Sequence, residues 1–294
     1  MYLTKFLQTG NAIIYEVYTL KNFTADAPMH LPLPLLILPT LPLSWLRTLL
    51  ARVPAIIPSS CAVCGLRASK VLCEPCRQQF FDIAEVRCGC CALPLVAAAT
   101  NETADATPTC GACLANPPAF DATFAVADYQ APIDQLVLSL KFGGRLALAT
   151  LFADLMRDTL LSTGVLYAAQ AQLPTRLIPV PLSANRLQHR GFNQSLEIAR
   201  VLGRHFGVPV LPTSMERVRE TRSQAELPLA DRRQNVRHAF IVRSGAESHI
   251  LGQHVGVVDD VMTTGETLQE IALTLKRFGA TRVTNFVFAR TLPR

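Results

Sequence analysis

Two adjacent aspartates, Asp259 and Asp260, follow a run of apolar, largely β-branched residues near the end of the chain. A strand formed by that run would deliver both carboxylates at its carboxyl end, which is where ligands bind in open α/β sheets. Two such acids cannot both be buried without partners. Ribose hydroxyls and a hydrated Mg²⁺ are suitable partners, because Mg²⁺ prefers few carboxylates together with phosphate oxygens and water.

A short turn rich in threonine and glycine follows the two acids and leads into a predicted helix. Consecutive backbone N–H groups at such a helix start form a nest for a phosphate, and threonine hydroxyls add further donors. The competing interpretation is a simple helix N-cap. The complete pattern of strand, acids, threonine and glycine favours the ligand site. The predicted phosphate-binding residues are Val261, Met262, Thr263, Thr264, Gly265, Glu266 and Thr267.

Eight of the nine cysteines form four pairs in which two residues separate the members. That spacing lets a tight turn aim two thiolates at one tetrahedral ion, and two such turns complete a Cys₄ site. Buried or redox-active cysteines are the alternative, but four pairs in so short a stretch favour structural zinc, one or two ions per chain. The simplest grouping places Cys61, Cys64, Cys73 and Cys76 in one site and Cys88, Cys91, Cys110 and Cys113 in the other.

Cys90 complicates the count, because both Cys90 and Cys91 lie close enough to pair with Cys88. Choosing Cys91 preserves the two-residue spacer and leaves Cys90 as a spare thiol. Spacing alone leaves an interleaved grouping of the four pairs open. Sites of this type are closed and structural, so the predicted role of the module is stability and not catalysis. Zinc ribbons often bind partners as well, and the sequence leaves that alternative open.

The elements that position these residues follow the pattern of a parallel sheet covered by helices, since apolar runs alternate with segments of helical period. The predicted strands are Phe124–Tyr129, Leu177–Val180, Val208–Leu211, Val255–Val258 and Val283–Phe288. The predicted helices are Ile133–Phe142, Leu146–Leu161, Ser195–Phe206 and Thr267–Phe278. We therefore predict an α/β domain at residues 119–294, preceded by a zinc-ribbon-like module at residues 58–118.

Residues 1–57 are predicted to be a poorly ordered leader. The stretch Met29–Pro58 is apolar but repeatedly interrupted by proline, whereas a membrane helix needs roughly 20 uninterrupted apolar residues. Met1–Phe23 lack the order of a secretory signal, so we expect a cytoplasmic protein, in which paired thiols usually hold metal. The net charge of +6 is spread along the chain and suits a site for phosphates as well as it suits nucleic acid.

Three stretches of the sequence resemble known families. The acid pair and its turn resemble the phosphoribosyl pyrophosphate (PRPP) loop of type I phosphoribosyltransferases. The run VPLSANRLQHRGFNQ, residues Val180–Gln194, resembles the signature of the ComF (ComFC/GntX-like) family, with Ser183-Ala184 where that family often has His-Pro. Other residues at that family's spacings are Lys141, Phe142, Gly143, Gly144, Arg219, Thr221, Gln224, Leu227, Arg232, Asn235, Val236, Ala239 and Phe240.

This resemblance implies a type I phosphoribosyltransferase fold that binds PRPP together with Mg²⁺. Pro181–Arg186 would be the pyrophosphate loop, with Arg186 and Arg190 directed to the diphosphate, unless they are merely solvated side chains. Arg219–Arg232 would be a flexible loop that closes over the site. Its ligand-facing residues would be Arg219, Thr221 and Gln224, with Asn235 at its base.

The resemblance leaves three hypotheses about function. The first is a transferase of unidentified acceptor, in which Asp259 and Asp260 are catalytic. The second is a non-catalytic PRPP-binding or DNA-binding scaffold with single-stranded DNA or competence proteins as partners. The third and weakest makes residues 31–57 a membrane tether. Neither the acceptor nor the oligomeric state follows from the sequence.

Overall fold

The computed structural model describes residues 7–9, 12–14, 59–82, 85–95, 108–162, 173–219 and 237–293. By its contacts the chain divides into two units, Met1–Ala51 and Arg52–Arg294. In the first unit the structure describes an antiparallel strand pair, β1 (Leu7–Thr9) and β2 (Ala12–Ile14). Most of the predicted leader lies outside the described residues, so its predicted disorder and the predicted domain boundaries stay predictions.

The second unit opens with the cysteine module and continues into an α/β domain. The module contains the antiparallel strands β3 (Ser59–Ser60) and β4 (Arg67–Ala68) and the helices α1 (Glu74–Phe80) and α2 (Gly111–Ala115). The domain then runs through β5 (Ala122–Asp128), α3 (Ile133–Gly143), α4 (Ala147–Ser162), β6 (Arg176–Pro179), α5 (Ala184–Arg190), α6 (Gln194–Phe206), β7 (Met215–Arg217), β8 (Phe240–Val242), a 3₁₀ turn at Glu247–His249, β9 (His254–Met262), α7 (Glu266–Arg277) and β10 (Arg282–Arg290).

Four of these strands form one parallel sheet in the order β5-β10-β9-β6. Helices cover both faces of the sheet. Successive side chains of a strand point to opposite faces, so one strand contributes to two cores. Along β10, Phe286 and Phe288 enter one core with α3, α4 and α6, whereas Val283 and Val287 enter the other core with α7. The predicted fold class is confirmed. It is the architecture that the resemblance to type I phosphoribosyltransferases implied.

The two halves of the cysteine module pack into different cores. Cys61, Cys76 and Phe81 belong to the core that contains α4, where Phe288 stacks on Phe152 with ring centroids 3.5 Å apart. The later half, which contains Cys88 and Cys91, belongs to the core that contains α7. Each half of the module is therefore attached to one face of the sheet.

The predicted strand Val208–Leu211 is wrong as a strand. Val210 forms a single parallel bridge with Leu177, and the backbone of Leu177 bonds to Pro209 and Leu211 on either side. A proline has no N–H to donate to a ladder. Pro209 lies inside this stretch and Pro212 follows it directly, so the stretch does not extend into a strand.

The four predicted helices are confirmed to within two residues at each end. Helix α5 was not predicted. Pro181–Arg186 was expected to be a loop, but irregular backbone ends at Ser183, whose Oγ accepts the Arg186 N–H at 3.5 Å and caps the helix. Gly191, at φ +76°, ends α5 in the left-handed region. Within the described ranges, no helix combines the length and hydropathy needed to cross a membrane.

Candidate functional site

Asp259 and Asp260 are the sixth and seventh of the nine residues of β9, near the carboxyl edge of the sheet. β9 is longer than predicted, because β10 pairs with it as far as Met262. On its other side, β6 ends at Pro179, which pairs with Val258. The two acids therefore extend past the end of β6, next to the segment that enters α5 and α6.

Asp260 is buried and is held by side chains from two helices. Nζ of Lys141, at the end of α3, lies 2.7 Å from its Oδ2, and Nε2 of Gln194, in the first turn of α6, donates to its Oδ1 at 3.3 Å. Burial by itself favours the neutral carboxyl, but the Lys141 ammonium outweighs it and lowers the pKa of Asp260. Asp260 is thus the ionised member of the pair.

Asp259 is in a different electrostatic position. Its Oδ1 accepts hydrogen bonds from Ser195 Oγ at 2.8 Å and from the Asp260 N–H at 2.9 Å. Burial and the neighbouring charge of Asp260 disfavour a second negative charge, and together they raise the pKa of Asp259 to about 7. A small change in surroundings, such as a bound cation, is enough to ionise it.

The turn after β9 leads directly into α7. Gly265 is the N-cap of α7 and has a φ of +89°, a conformation that glycine adopts without strain. Oγ1 of Thr264 is buried and has no hydrogen-bond partner among the described residues. A buried hydroxyl at a helix N-terminus leaves a donor for an anion. The predicted turn residues Thr263, Thr264, Gly265, Glu266 and Thr267 are thereby brought to one helix end.

Val261 and Met262 were predicted with the turn but lie in β9. Met262 is buried in the α7 core, and Val261 packs against the opposite core. Any contact of these two residues with a phosphate would therefore come from their backbone.

The predicted arginines of α5 approach the acids from one side. Arg190 donates to Oε1 of Gln194, the residue that bonds Asp260, and its guanidinium lies 5.2 Å from the centroid of the Phe142 ring. Burial lowers the pKa of Arg190, the charges of Asp260 and Asp259 oppose that effect, and the charge of Arg186 adds to it. Arg186 lies one turn earlier on α5 and is partly buried.

Sequence reasoning missed several residues of this site. Lys141 stood in the ComF-like run Lys141–Gly144 and Gln194 ended the run Val180–Gln194, which were usable signals, but Ser195 had none beyond its place at a helix start. Arg217, on β7, was also missed. Its pKa is lowered to about 10, by burial first and then by the charge of Arg186, while the charge of Asp259 opposes both. These two charges place Arg217 in the field of the site.

The predicted flexible loop begins just after β7. Arg219, its first predicted residue, donates at 3.1 Å to the carbonyl of Arg237, which lies beyond the predicted end of the loop at Arg232. Thr221, Gln224, Arg232 and Asn235 lie outside the described residues, and their roles stay predictions.

The cysteines form two groups with the predicted membership. In each group the four Sγ atoms all lie within 4.8 Å of one another, which settles the grouping that spacing left open. Burial favours neutral thiols, but backbone N–H groups donating to sulfur outweigh it. They lower the pKa of Cys61 to about 6 and that of Cys88 to about 7. Burial raises the pKa of Cys76 to about 12 and that of Cys91 to about 11. Four sulfurs that lie this close together fit a structural zinc ion.

Cys90 belongs to neither group. Burial raises its pKa, so it stays a thiol at neutral pH. We call the groups the first cluster (Cys61, Cys64, Cys73 and Cys76) and the second cluster (Cys88, Cys91, Cys110 and Cys113).

Two curated proteins cover most of the described chain. The sequence is 38% identical over 187 residues to the DNA utilization protein YhgH of Salmonella typhimurium. The aligned region spans 62% of this chain and 78% of that protein. It is 31% identical over 227 residues to Competence protein F of Haemophilus influenzae. The aligned region spans 76% of this chain and 92% of that protein. This chain belongs to the ComF family.

More distant comparisons give less detail about this ComF protein. Competence protein ComFC of Streptococcus pneumoniae is 24% identical over 166 residues, 56% of this chain and 67% of that protein. No family model matches the sequence. Among solved structures, a glutamine phosphoribosylpyrophosphate amidotransferase from B. subtilis covers 48% of this chain and 26% of its own, with 19% identity and a TM-score of 0.28.

A purine phosphoribosyltransferase from Pyrococcus horikoshii covers 47% of this chain and 80% of its own, with 15% identity and a TM-score of 0.25. At these TM-scores neither superposition carries an argument about function. The function of this ComF protein is therefore argued from its own site.

Proposed function

We propose that this ComF protein binds PRPP and Mg²⁺ at the carboxyl edge of its sheet and transfers the phosphoribosyl group to an acceptor. The observation that carries the proposal is the junction of β9 and α7. There an acid pair, a threonine turn with a buried hydroxyl that has no partner among the described residues, and a helix N-terminus lie within a few residues of each other. These are the groups needed for ribose hydroxyls and a phosphate ester.

The 5′-phosphate belongs at the N-terminus of α7. The backbone N–H groups of Thr263–Thr267 and the Thr264 hydroxyl supply donors, and the helix dipole favours negative charge there. The ribose hydroxyls then face the acids of β9. Asp259 is the better acceptor of the two, because Asp260 is already paired with Lys141.

The diphosphate belongs on the side of α5 and β7. Arg186, Arg190 and Arg217 supply positive charge there, and the predicted loop residues Arg219, Thr221 and Gln224 would close over it. The Mg²⁺ that accompanies PRPP neutralises part of the diphosphate charge when it is bound. Asp259 is the protein carboxylate that fits such an ion, since Mg²⁺ takes few protein ligands.

In the reaction, the C1–O bond to the diphosphate breaks with its electron pair leaving on oxygen, and an acceptor lone pair forms the new bond to C1. Positive charge builds on the ribose as the diphosphate departs. The carboxylates beneath the ring stabilise that charge, and the arginines stabilise the leaving group. The protein's contribution is therefore positioning and electrostatic stabilisation.

The test is calorimetry of PRPP with Mg²⁺ on the purified full chain and on Asp259→Ala/Asp260→Ala. We expect wild-type binding and its loss in the double variant, followed by pyrophosphate release when the right acceptor is supplied. A folded, zinc-loaded wild-type protein that does not bind PRPP would overturn the proposal.

The same titration has an expected pH profile. Because the folded-state pKa of Asp259 is raised to about 7, the carboxyl is largely protonated below that pH and ionised above it. Affinity for Mg²⁺ and PRPP should therefore rise between about pH 6 and pH 8. The single variant Asp259→Asn should lose this dependence, and an unchanged profile in that variant would assign the titration to another group.

A second candidate is a scaffold without catalysis, which acts in DNA use or competence in the cytoplasm. It is favoured by the names of the two most similar proteins reported above, DNA utilization protein and Competence protein F. It predicts binding of single-stranded DNA with an affinity that falls steeply with salt. It also predicts PRPP binding, if retained, without pyrophosphate release for any acceptor.

A further inference from the structure

Arg290, the last residue of β10, connects the second cluster to the phosphate-binding turn. Its Nε donates to the carbonyl of Cys91 at 2.9 Å, and its Nη1 donates to the carbonyls of Met262, at 3.1 Å, and of Thr263. A further bond reaches the carbonyl of Thr291 at 2.8 Å. One guanidinium thus holds the backbone of a cluster cysteine and the backbone at the start of the turn.

Arg290 is only 6% exposed, and none of the described carboxylates lies within ion-pair distance of it. A buried guanidinium needs its hydrogen-bond acceptors, because an unsatisfied charged group away from water is costly. The second cluster supplies one of those acceptors, the carbonyl of Cys91.

Other contacts join Gly89 of the module, and the residues that directly follow the module, to β5 and α7. The Ala119 N–H donates to Oε1 of Gln269 on α7 at 2.7 Å, and the Thr123 N–H donates to the Gly89 carbonyl at 3.0 Å. Phe120 lies 4.0 Å from the position that a Cβ on Gly265 would take. The first cluster packs into the opposite core, so it provides a built-in comparison.

We propose that Arg290 is a positioning residue that makes the geometry of the phosphate-binding turn depend on metal in the second cluster, and not on metal in the first. Loss of that metal would release the Cys91 backbone, whose carbonyl accepts from Arg290. Arg290 would then have to move or remain unsatisfied, and either outcome loosens Thr263 and the start of α7. The effect on ligand affinity rests on the proposed function; the effect on the turn does not.

The experiment uses the full zinc-loaded chain with Arg290→Met, Arg290→Lys and, as a control, Arg157→Met. Arg157 is a remote, partly exposed arginine on α4 whose partners are Asp154 and Asp158. Hydrogen exchange is measured on the amides of residues 261–267, together with zinc content and the affinity for PRPP with Mg²⁺. Near-UV circular dichroism shows whether each variant keeps its fold.

We expect Arg290→Met to exchange these amides about tenfold faster or more, the scale of losing hydrogen bonds from a charged group. PRPP affinity should fall by a similar factor. Arg290→Lys keeps the charge but cannot reach both backbones, so its exchange rate should lie between those of wild type and Arg290→Met. The exchange rate of Arg157→Met should match that of wild type. A folded Arg290→Met protein with wild-type exchange in the turn would overturn the proposal.

The two clusters are then compared directly through Cys113→Ser and Cys64→Ser. Cys113→Ser, which removes a ligand of the second cluster, should reproduce the fast exchange of the turn. Cys64→Ser, in the first cluster, should leave the turn protected; fast exchange in both would contradict a specific link. If wild-type protein fails to bind PRPP, the proposed function falls, and the exchange data still decide the role of Arg290.

Discussion

Lys141 and Asp260 form an ion pair that is mostly removed from water, with side chains 21% and 3% exposed. A pair of this kind is a weak source of net stability, but breaking it is costly because one buried charge loses its partner. The site therefore has a preformed electrostatic frame. Asp260 stays ionised, and its charge keeps the pKa of Asp259 high until a ligand arrives.

We predict that Lys141→Met lowers the free energy of unfolding at pH 7 by about 3–5 kcal/mol in urea denaturation. The matched control is Lys276→Met, since Lys276 pairs with Asp121 at 2.8 Å but both side chains are 35% exposed. The unfolding free energy lost in Lys276→Met should stay within about 1 kcal/mol. Adding Asp260→Asn should restore much of the stability lost in Lys141→Met. Equal losses in the two lysine variants would contradict this account.

The difference in unfolding free energy between wild type and Lys141→Met should depend on pH, in a direction set by the pKa of Asp260. The folded-state pKa of Asp260 lies below its usual range, so its ion pair stabilises the protein above the unfolded carboxyl pKa. That contribution is lost as the pH falls through the folded pKa. The gap between wild type and Lys141→Met should therefore narrow under acidic conditions.

The junction of β9 and α7 depends on the backbone of Gly265. A Cβ at this position would lie 2.6 Å from Cε of Met262, which is itself buried, and the φ of +89° disfavours any other residue. Gly207, the C-cap of α6, has a φ of +66° but nothing within 4 Å of its would-be Cβ. Substituting Gly207 tests the backbone strain alone, whereas substituting Gly265 tests backbone strain together with the steric clash with Met262.

We predict that Gly207→Ala costs about 1–2 kcal/mol in unfolding free energy, from left-handed backbone strain. Gly265→Ala should cost about 1–3 kcal/mol more, because Met262 must also be displaced. Its PRPP affinity should fall as the helix start shifts, whereas that of Gly207→Ala should not. Equal unfolding costs, measured in urea, would show that the Met262 contact is easily relieved.

The whole second unit is built around one sheet with a cysteine cluster attached to each face. This arrangement gives each cluster a separate structural role, since the first packs into the core with α4 and the second packs into the core with α7, whose N-terminus belongs to the proposed ligand site. Metal binding in such clusters contributes directly to folding free energy. Stability and ligand binding should therefore respond differently to the two metals.

We predict that the purified chain holds two zinc ions, one for each group of four cysteines. Cys90→Ser should keep both ions, because Cys90 lies in neither group, while Cys113→Ser should lose one. Elemental analysis of each protein together with thiol titration measures this. A loss of zinc in Cys90→Ser would mean that Cys90 is a ligand and that Cys88 pairs differently.

Most elements of the α/β domain could be predicted from the sequence, because buried strands and amphipathic helices have short periods that a few residues reveal. The strand Val255–Val258 and the helix after Gly265 are examples. The four cysteine pairs could likewise be predicted, because their spacing is local in sequence. The stretch Val208–Leu211 has the same apolar character, yet its prolines and its position at the sheet edge reduce it to one bridge. Helix α5 was missed because a polar seven-residue helix carries little periodic signal.

The sequence by itself determined the chemistry available: adjacent acids before a threonine turn, and thiols spaced for zinc. Tertiary structure decided how these groups are used. It separated the cysteines into two groups, paired Lys141 with Asp260, and placed Arg290 between Cys91 and Thr263. Local spacing encodes what a turn can bind, but partners distant in sequence meet only because parallel strands align their carboxyl ends and helices pack over them.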